Sequence, residues 1–190
     1  MGKFLFMPMV LQQMAQEKFF RRICAIALRL LALVAIFAGL SGFVHIWNHI
    51  VKQRGSEIPG GVIFILLFAV AVYMVAHTLL IRAEQLLELP ETEFGIVSIA
   101  SVFLRLGGEV YAGFAVPIAV GGGIFIWFGG EDARDFIGSM TPMVKGFGDG
   151  TFLGGIEYML GGGFCALLVL LLSYLLAELL EIALKLTGPR

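Results

Sequence analysis

The chain has 190 residues, of which 59% are hydrophobic and only 14% charged, with a formal net charge of −1. Soluble domains carry roughly 45–50% apolar and ~25% charged residues, so too little polar surface remains here to cover a water-facing exterior. A soluble enzyme, a nucleic-acid binder and a disordered tail are thereby excluded, and the expected class is an all-α integral membrane protein.

The chain reads as one membrane domain, 1–190. Residues 1–22 form an N-terminal arm. Phe4 to Phe20 mixes Phe and Met with Gln and Lys and leads into Arg21 and Arg22, a composition suited to lying on the membrane surface. No secretory signal is expected. The first apolar run follows a long lead-in, exceeds the length of an h-region, and lacks a small-residue cleavage site.

A helix crosses the bilayer core in about 20 apolar residues. Four runs meet that length: Leu30 to Trp47, Val62 to Ile81, Val110 to Gly129 and Met159 to Ala177. Barrel strands would alternate strictly, so these runs are expected to be helices. Pro117 and Gly121–Gly122–Gly123 interrupt the third run, where a kink or a close helix contact is expected. Phe94 to Leu106 and Asp132 to Val144 have amphipathic spacing and read as short interfacial helices, the second on the outer surface.

Basic residues set the orientation. Lys3, Lys18, Arg21, Arg22, Arg29, Arg82, Arg105, Lys185 and Arg190 fall on one side of the four spans. Lys52, Arg54, Arg134 and Lys145 fall on the other. The bias places both termini in the cytoplasm of a bacterial inner-membrane protein, or in the matrix or stroma of an organelle.

The halves 23–90 and 94–188 read as tandem two-helix repeats. Tyr73-x-x-Ala76-His77-x-Leu79-x-Ile81 recurs as Tyr174-x-x-Ala177-Glu178-x-Leu180-x-Ile182, and Gly60–Gly61 recurs as Gly161–Gly162. Leu28–Arg29–Leu30 matches Leu104–Arg105–Leu106, and Gly42-x-x-x-Ile46–Trp47 matches Gly122-x-x-x-Ile126–Trp127. Two spans per repeat would make the repeats parallel, related by an axis along the membrane normal.

Ionisable groups inside a membrane need partners. The repeat would set His77 and Glu178 at one depth, so Tyr73, His77 and Glu178 are a candidate quinone or haem b contact. His45 and His49 share a helix face, and Glu57 is the nearest third group; an aromatic interfacial belt with Trp47 explains them without a metal. Arg21, Arg22, Arg29 and Arg105 are candidate contacts for anionic lipid head groups. Glu109 sits four residues after Arg105, the spacing of a local ion pair. Glu131, Asp132, Asp135 and Asp149 lack the spacing of a calcium loop. Cys24 and Cys165 give no disulfide framework and read as small buried hydrophobes.

No nucleophile–base set, phosphate loop or metal cluster is apparent, so no catalytic residue and no cofactor are assigned. The expected function is a non-catalytic accessory subunit of a larger membrane complex, packing on other integral membrane subunits through Gly-rich and aromatic helix faces. The alternative is a quinone- or haem-binding anchor of an electron-transfer complex. A small channel or transporter ranks behind both.

Overall fold

The computed structural model describes residues 17–52, 57–89, 95–140 and 146–187. Residues 1–16 of the arm lie outside them, as do Arg54, Glu91, Glu93, Lys145 and Arg190. The described residues form four helices: α1 (Glu17–Lys52), α2 (Ile58–Glu88), α3 (Gly95–Met140) and α4 (Phe152–Thr187). Each contains a stretch long and apolar enough to cross a membrane, which marks an integral membrane protein. No strand occurs among the described residues.

The helices outrun the apolar cores that define them. The 36 residues of α1 span about 54 Å, against ~30 Å for the hydrocarbon layer. Alanine, leucine and unbroken backbone hydrogen bonding continue the helix past the apolar stretch. Pro59 at the start of α2 costs nothing there, because its missing N–H would be unsatisfied in any case.

Neighbours in sequence are neighbours in space. α1 packs on α2, α2 on α3, and α3 on α4, while α1 meets α3 only marginally. Among the described residues no backbone approach joins α4 to α1 or to α2. The result is an open row of antiparallel helices. Its two ends can be told apart by the contacts they make. At the loop end Gly61 of α2 faces Ile50 of α1, and Gly60 faces Phe128 of α3. At the terminal end Arg21 of α1 donates to the Leu89 carbonyl, and Ser101 of α3 donates to Glu181 of α4 at 2.7 Å.

The main departure from the sequence reading lies in the second half of α3. The segment after Gly129 is helical, as its spacing predicts, but it does not lie on the outer surface. Gly130 adopts φ 56 and ψ −136, breaking the helix. The next ten residues turn back along the span they came from. Ala133 abuts Gly129, Phe136 meets Phe125 edge-on, and Ile137 packs against Gly122. Met140 lines the same cavity as Phe114. Ten residues at 1.5 Å each carry this re-entrant helix about 15 Å inward, half the hydrocarbon thickness. Its backbone is satisfied helically and one face, through Ala133 and Ile137, is buried in protein, which is how a re-entrant segment is tolerated. Ala133 and Ile137 are fully buried in a cluster with Phe64, Phe68, Ile118, Phe125 and Tyr158.

The stretch 97–106 also departs from an interfacial helix. It continues into the third span without a break, burying Ile99, Val102 and Leu106 against Leu28 of α1 and Leu79 and Leu86 of α2. Its apolar stripe faces protein rather than head groups.

Candidate functional site

The glycine runs are spent inside the molecule. A Cβ on Gly123 would strike the Gly155 carbonyl oxygen, and one on Gly155 would strike the Trp127 indole. Gly122 receives Tyr158, and Gly108 receives Ser173. Small residues thus let α3 and α4 approach to backbone contact, the usual route to helix association where lipid removes the hydrophobic drive. Of the two outcomes expected around Pro117 and Gly121–Gly123, the close helix contact is present, and the α3 backbone leaves helical geometry at Gly130.

Two polar groupings cross between helices near the terminal end. Arg82 of α2 pairs with Glu109 of α3, its Nε donating at 2.8 Å, and also donates to Gln85 on its own helix. Tyr174 of α4 donates its hydroxyl to the same Glu109. Beside it, Arg105 donates to Glu181 at 2.8 Å, and the Arg105 guanidinium stands 5.7 Å from the centre of the Tyr174 ring. Glu109 is therefore bound by another helix and not by Arg105, four residues away. Its partner Arg82 enters from α2 at the right height, and Arg105 turns towards α4. Helical spacing sets which groups could meet locally; the approach of a third helix decides which do. Glu181 and Ser101 were missed altogether. Glu181 sits two turns from Tyr174 on one face of α4, a signal the sequence did carry.

The basic residues on α1 separate. Arg21 is buried and bound to Leu89, whereas Arg22 and Arg29 are exposed. Tyr73 and His77 stack, with ring centres 5.5 Å apart and planes 9° apart, on an exposed face of α2. Glu178 is exposed on α4, a helix that α2 does not approach by backbone, so the structure brings together two members of that candidate set and not the third. His45 and His49 lie on one face as expected. Both are stacked on Phe136 of the re-entrant helix, His49 at 3.9 Å and 7°, His45 at 5.9 Å and 22°. Among the described residues no three His, Cys, Asp or Glu side chains are grouped to hold a metal ion. Cys24 and Cys165 are free and half-buried.

A cavity of about 400 Å³ opens below the tip of the re-entrant helix. Gly39 and Gly42 of α1, Phe68 of α2, and Phe114 and Met140 of α3 line it. A second, of about 380 Å³, adjoins it through Ala35 and Val75 and runs on past Leu31, Phe103 and Gly107. Together they form an apolar furrow where α1 and α3 straddle α2 and meet each other only marginally. Among the described residues no titratable side chain lines it.

The loop into α4 is tightly capped. Thr151 accepts from the Gly154 amide, and Asp149 accepts from both the amide and the hydroxyl of Thr151. The Thr151 hydroxyl holds the Asp149 carboxyl below its ordinary range. Glu131 accepts from Gly150, and Arg134 donates to the Gly148 carbonyl at 3.0 Å, tying the start of the re-entrant helix to this loop.

No protein-family model, no curated protein and no solved structure matches this chain.

Proposed function

We propose that the protein is a non-catalytic accessory subunit of a larger membrane complex, acting by lateral packing on other integral membrane subunits. The open helix row carries this reading. Among the described residues α4 makes its helix–helix contact with α3. Its other side presents Leu160, Phe164, Leu167 and Leu171, each more than half exposed and spaced by three or four residues. That is the ridge one helix offers to another. Gly163 beside it has nothing within 4 Å, leaving room for a partner's backbone. The polar groups of α3 that could have done chemistry are instead tied to α2 and α4.

The glycine faces first expected to receive partners are largely used within the chain, so the proposed contact moves to this α4 ridge. Purification in mild detergent followed by mass spectrometry tests it. Stoichiometric membrane proteins should copurify, and Phe164→Ala with Leu167→Ala should release them while the four helices stay inserted. Copurifying proteins that survive the double substitution would overturn the α4 assignment, and a chain recovered with none would overturn the function.

A second reading, a small transporter of an apolar molecule, is favoured by the re-entrant helix standing over the furrow. Met140→Trp would fill the cavity beneath it. Loss of a transport activity with retained copurification would favour this second reading.

A further inference from the structure

Six arginines lie among the described residues, and four are bound inside the protein. Arg21 holds the Leu89 carbonyl, Arg82 holds Glu109, Arg105 holds Glu181, and Arg134 holds the Gly148 carbonyl. Arg22 and Arg29 have no partner among the described residues, and both are exposed on α1.

Their placement is not scattered. Seven residues make two helical turns less about 20°, so Arg22 and Arg29 lie on one face, about 10 Å apart along the axis. The same face continues away from them through Leu33, Ile36 and Leu40, at intervals of three or four residues. Those side chains are 53%, 40% and 59% exposed. From Arg29 to Lys52 the helix runs about 35 Å, close to the ~30 Å hydrocarbon thickness. With Lys52 at one boundary, Arg29 stands at the other and Leu33, Ile36 and Leu40 stand in the acyl region.

We infer that this face of α1 is a seat for one anionic phospholipid, its phosphate held between Arg22 and Arg29 and an acyl chain laid along Leu33, Ile36 and Leu40. Charge complementarity selects the head group. Guanidinium groups match phosphate oxygens in planar, two-pronged geometry, and at the membrane surface they have no competing carboxylate among the described residues. The apolar track selects a lipid over free phosphate, because each methylene laid on it adds van der Waals contact that an inorganic ion cannot make. The seat lies on the flank of α1 turned away from the furrow, and it is independent of whether the α4 ridge docks a partner.

Native mass spectrometry of the detergent-solubilised full chain tests the seat, with phosphatidylglycerol or phosphatidylcholine added in separate arms. Phosphatidylglycerol should be retained in preference. In the R22Q/R29Q double variant its affinity should fall about 30-fold, equivalent to ~2 kcal/mol for two arginines at a membrane surface. K185Q, which removes an exposed lysine on α4, should leave retention unchanged. Glycerophosphate, the head group without chains, should not displace the lipid even in large excess. Equal retention of the two lipids, undiminished phosphatidylglycerol binding in R22Q/R29Q, or displacement by glycerophosphate would each overturn the assignment. The variants replace exposed side chains, and an unchanged helical circular dichroism spectrum separates lost binding from lost folding.

Discussion

The loop half and the terminal half of this protein solve the same packing problem with different materials. Near the loops the space between helices is filled by the re-entrant helix, whose Ile137 reaches Gly122 and whose Phe136 stacks on His49 and His45. Among the described residues no such insert is present near the termini. There the helices are held by small-residue contacts around Ala25, Ala32 and Ala83, and by ion pairs from Arg82 to Glu109 and Arg105 to Glu181. The furrow begins where the re-entrant helix ends. Filling one half with backbone and aromatic rings makes it tight; leaving the other to side-chain ties leaves an open apolar seam.

The comparison can be broken at its tightest point. Gly155→Val should destabilise the α3–α4 contact by about 3 kcal/mol, because the new branches meet the Gly123 carbonyl and the Trp127 indole. Loss of the folded fraction on denaturant titration in mixed micelles would register it. The control is Gly163→Ala, where nothing lies within 4 Å and removing a helical glycine should be neutral or stabilising by up to ~1 kcal/mol. Equal destabilisation by both would mean that glycine acts through flexibility, not close approach.

Ile137→Ala should cost slightly less, about 2–3 kcal/mol, by opening a cavity among Gly122, Phe125 and Tyr158. The damage should be confined to the loop half. In a Ser139→Cys background, thiol accessibility should rise at position 139 and stay unchanged at Cys24. A uniform rise at both would show that the two halves do not act as separate packing units.

Glu109→Gln should cost about 2 kcal/mol in the terminal half. It leaves Arg82 and the Tyr174 hydroxyl without their carboxylate at a site where the paired side chains are only 14% and 21% exposed. The exposed pairing of Arg134 with Glu131 should contribute far less, so Glu131→Gln should change stability by less than ~0.5 kcal/mol through that ion pair. Thermal unfolding of the two variants side by side makes the comparison, and a larger effect at Glu131 would reverse the assignment of which ties matter.

The four spans were legible in the sequence because length and hydropathy are enough to demand them. The amphipathic helix after Gly130 was legible as a helix with a definite apolar stripe. Its location was not, because the spacing of Phe136, Ile137 and Met140 states which face is apolar and leaves open what covers it. A membrane surface and a glycine-lined channel between helices satisfy the same pattern. The hints were Gly122 and Gly130: one leaves a hole opposite Ile137, the other permits the positive φ of the reversal. Among candidate site residues, the Tyr73–His77 proximity followed from spacing on one helix, whereas Arg82 with Glu109 required knowing that α2 and α3 run side by side. Long-range partners depend on helix register, which no local pattern encodes.

The folded-back helix is tested most directly by depth. Spin labels placed at Glu131 and at Met140 in lipid bilayers report oxygen against nickel-chelate accessibility, which converts to distance below the phosphates. Nine residues of inward helix place Met140 about 13 Å deeper than Glu131, near the bilayer midplane. Two labels at the same shallow depth would contradict it and return the segment to the membrane surface.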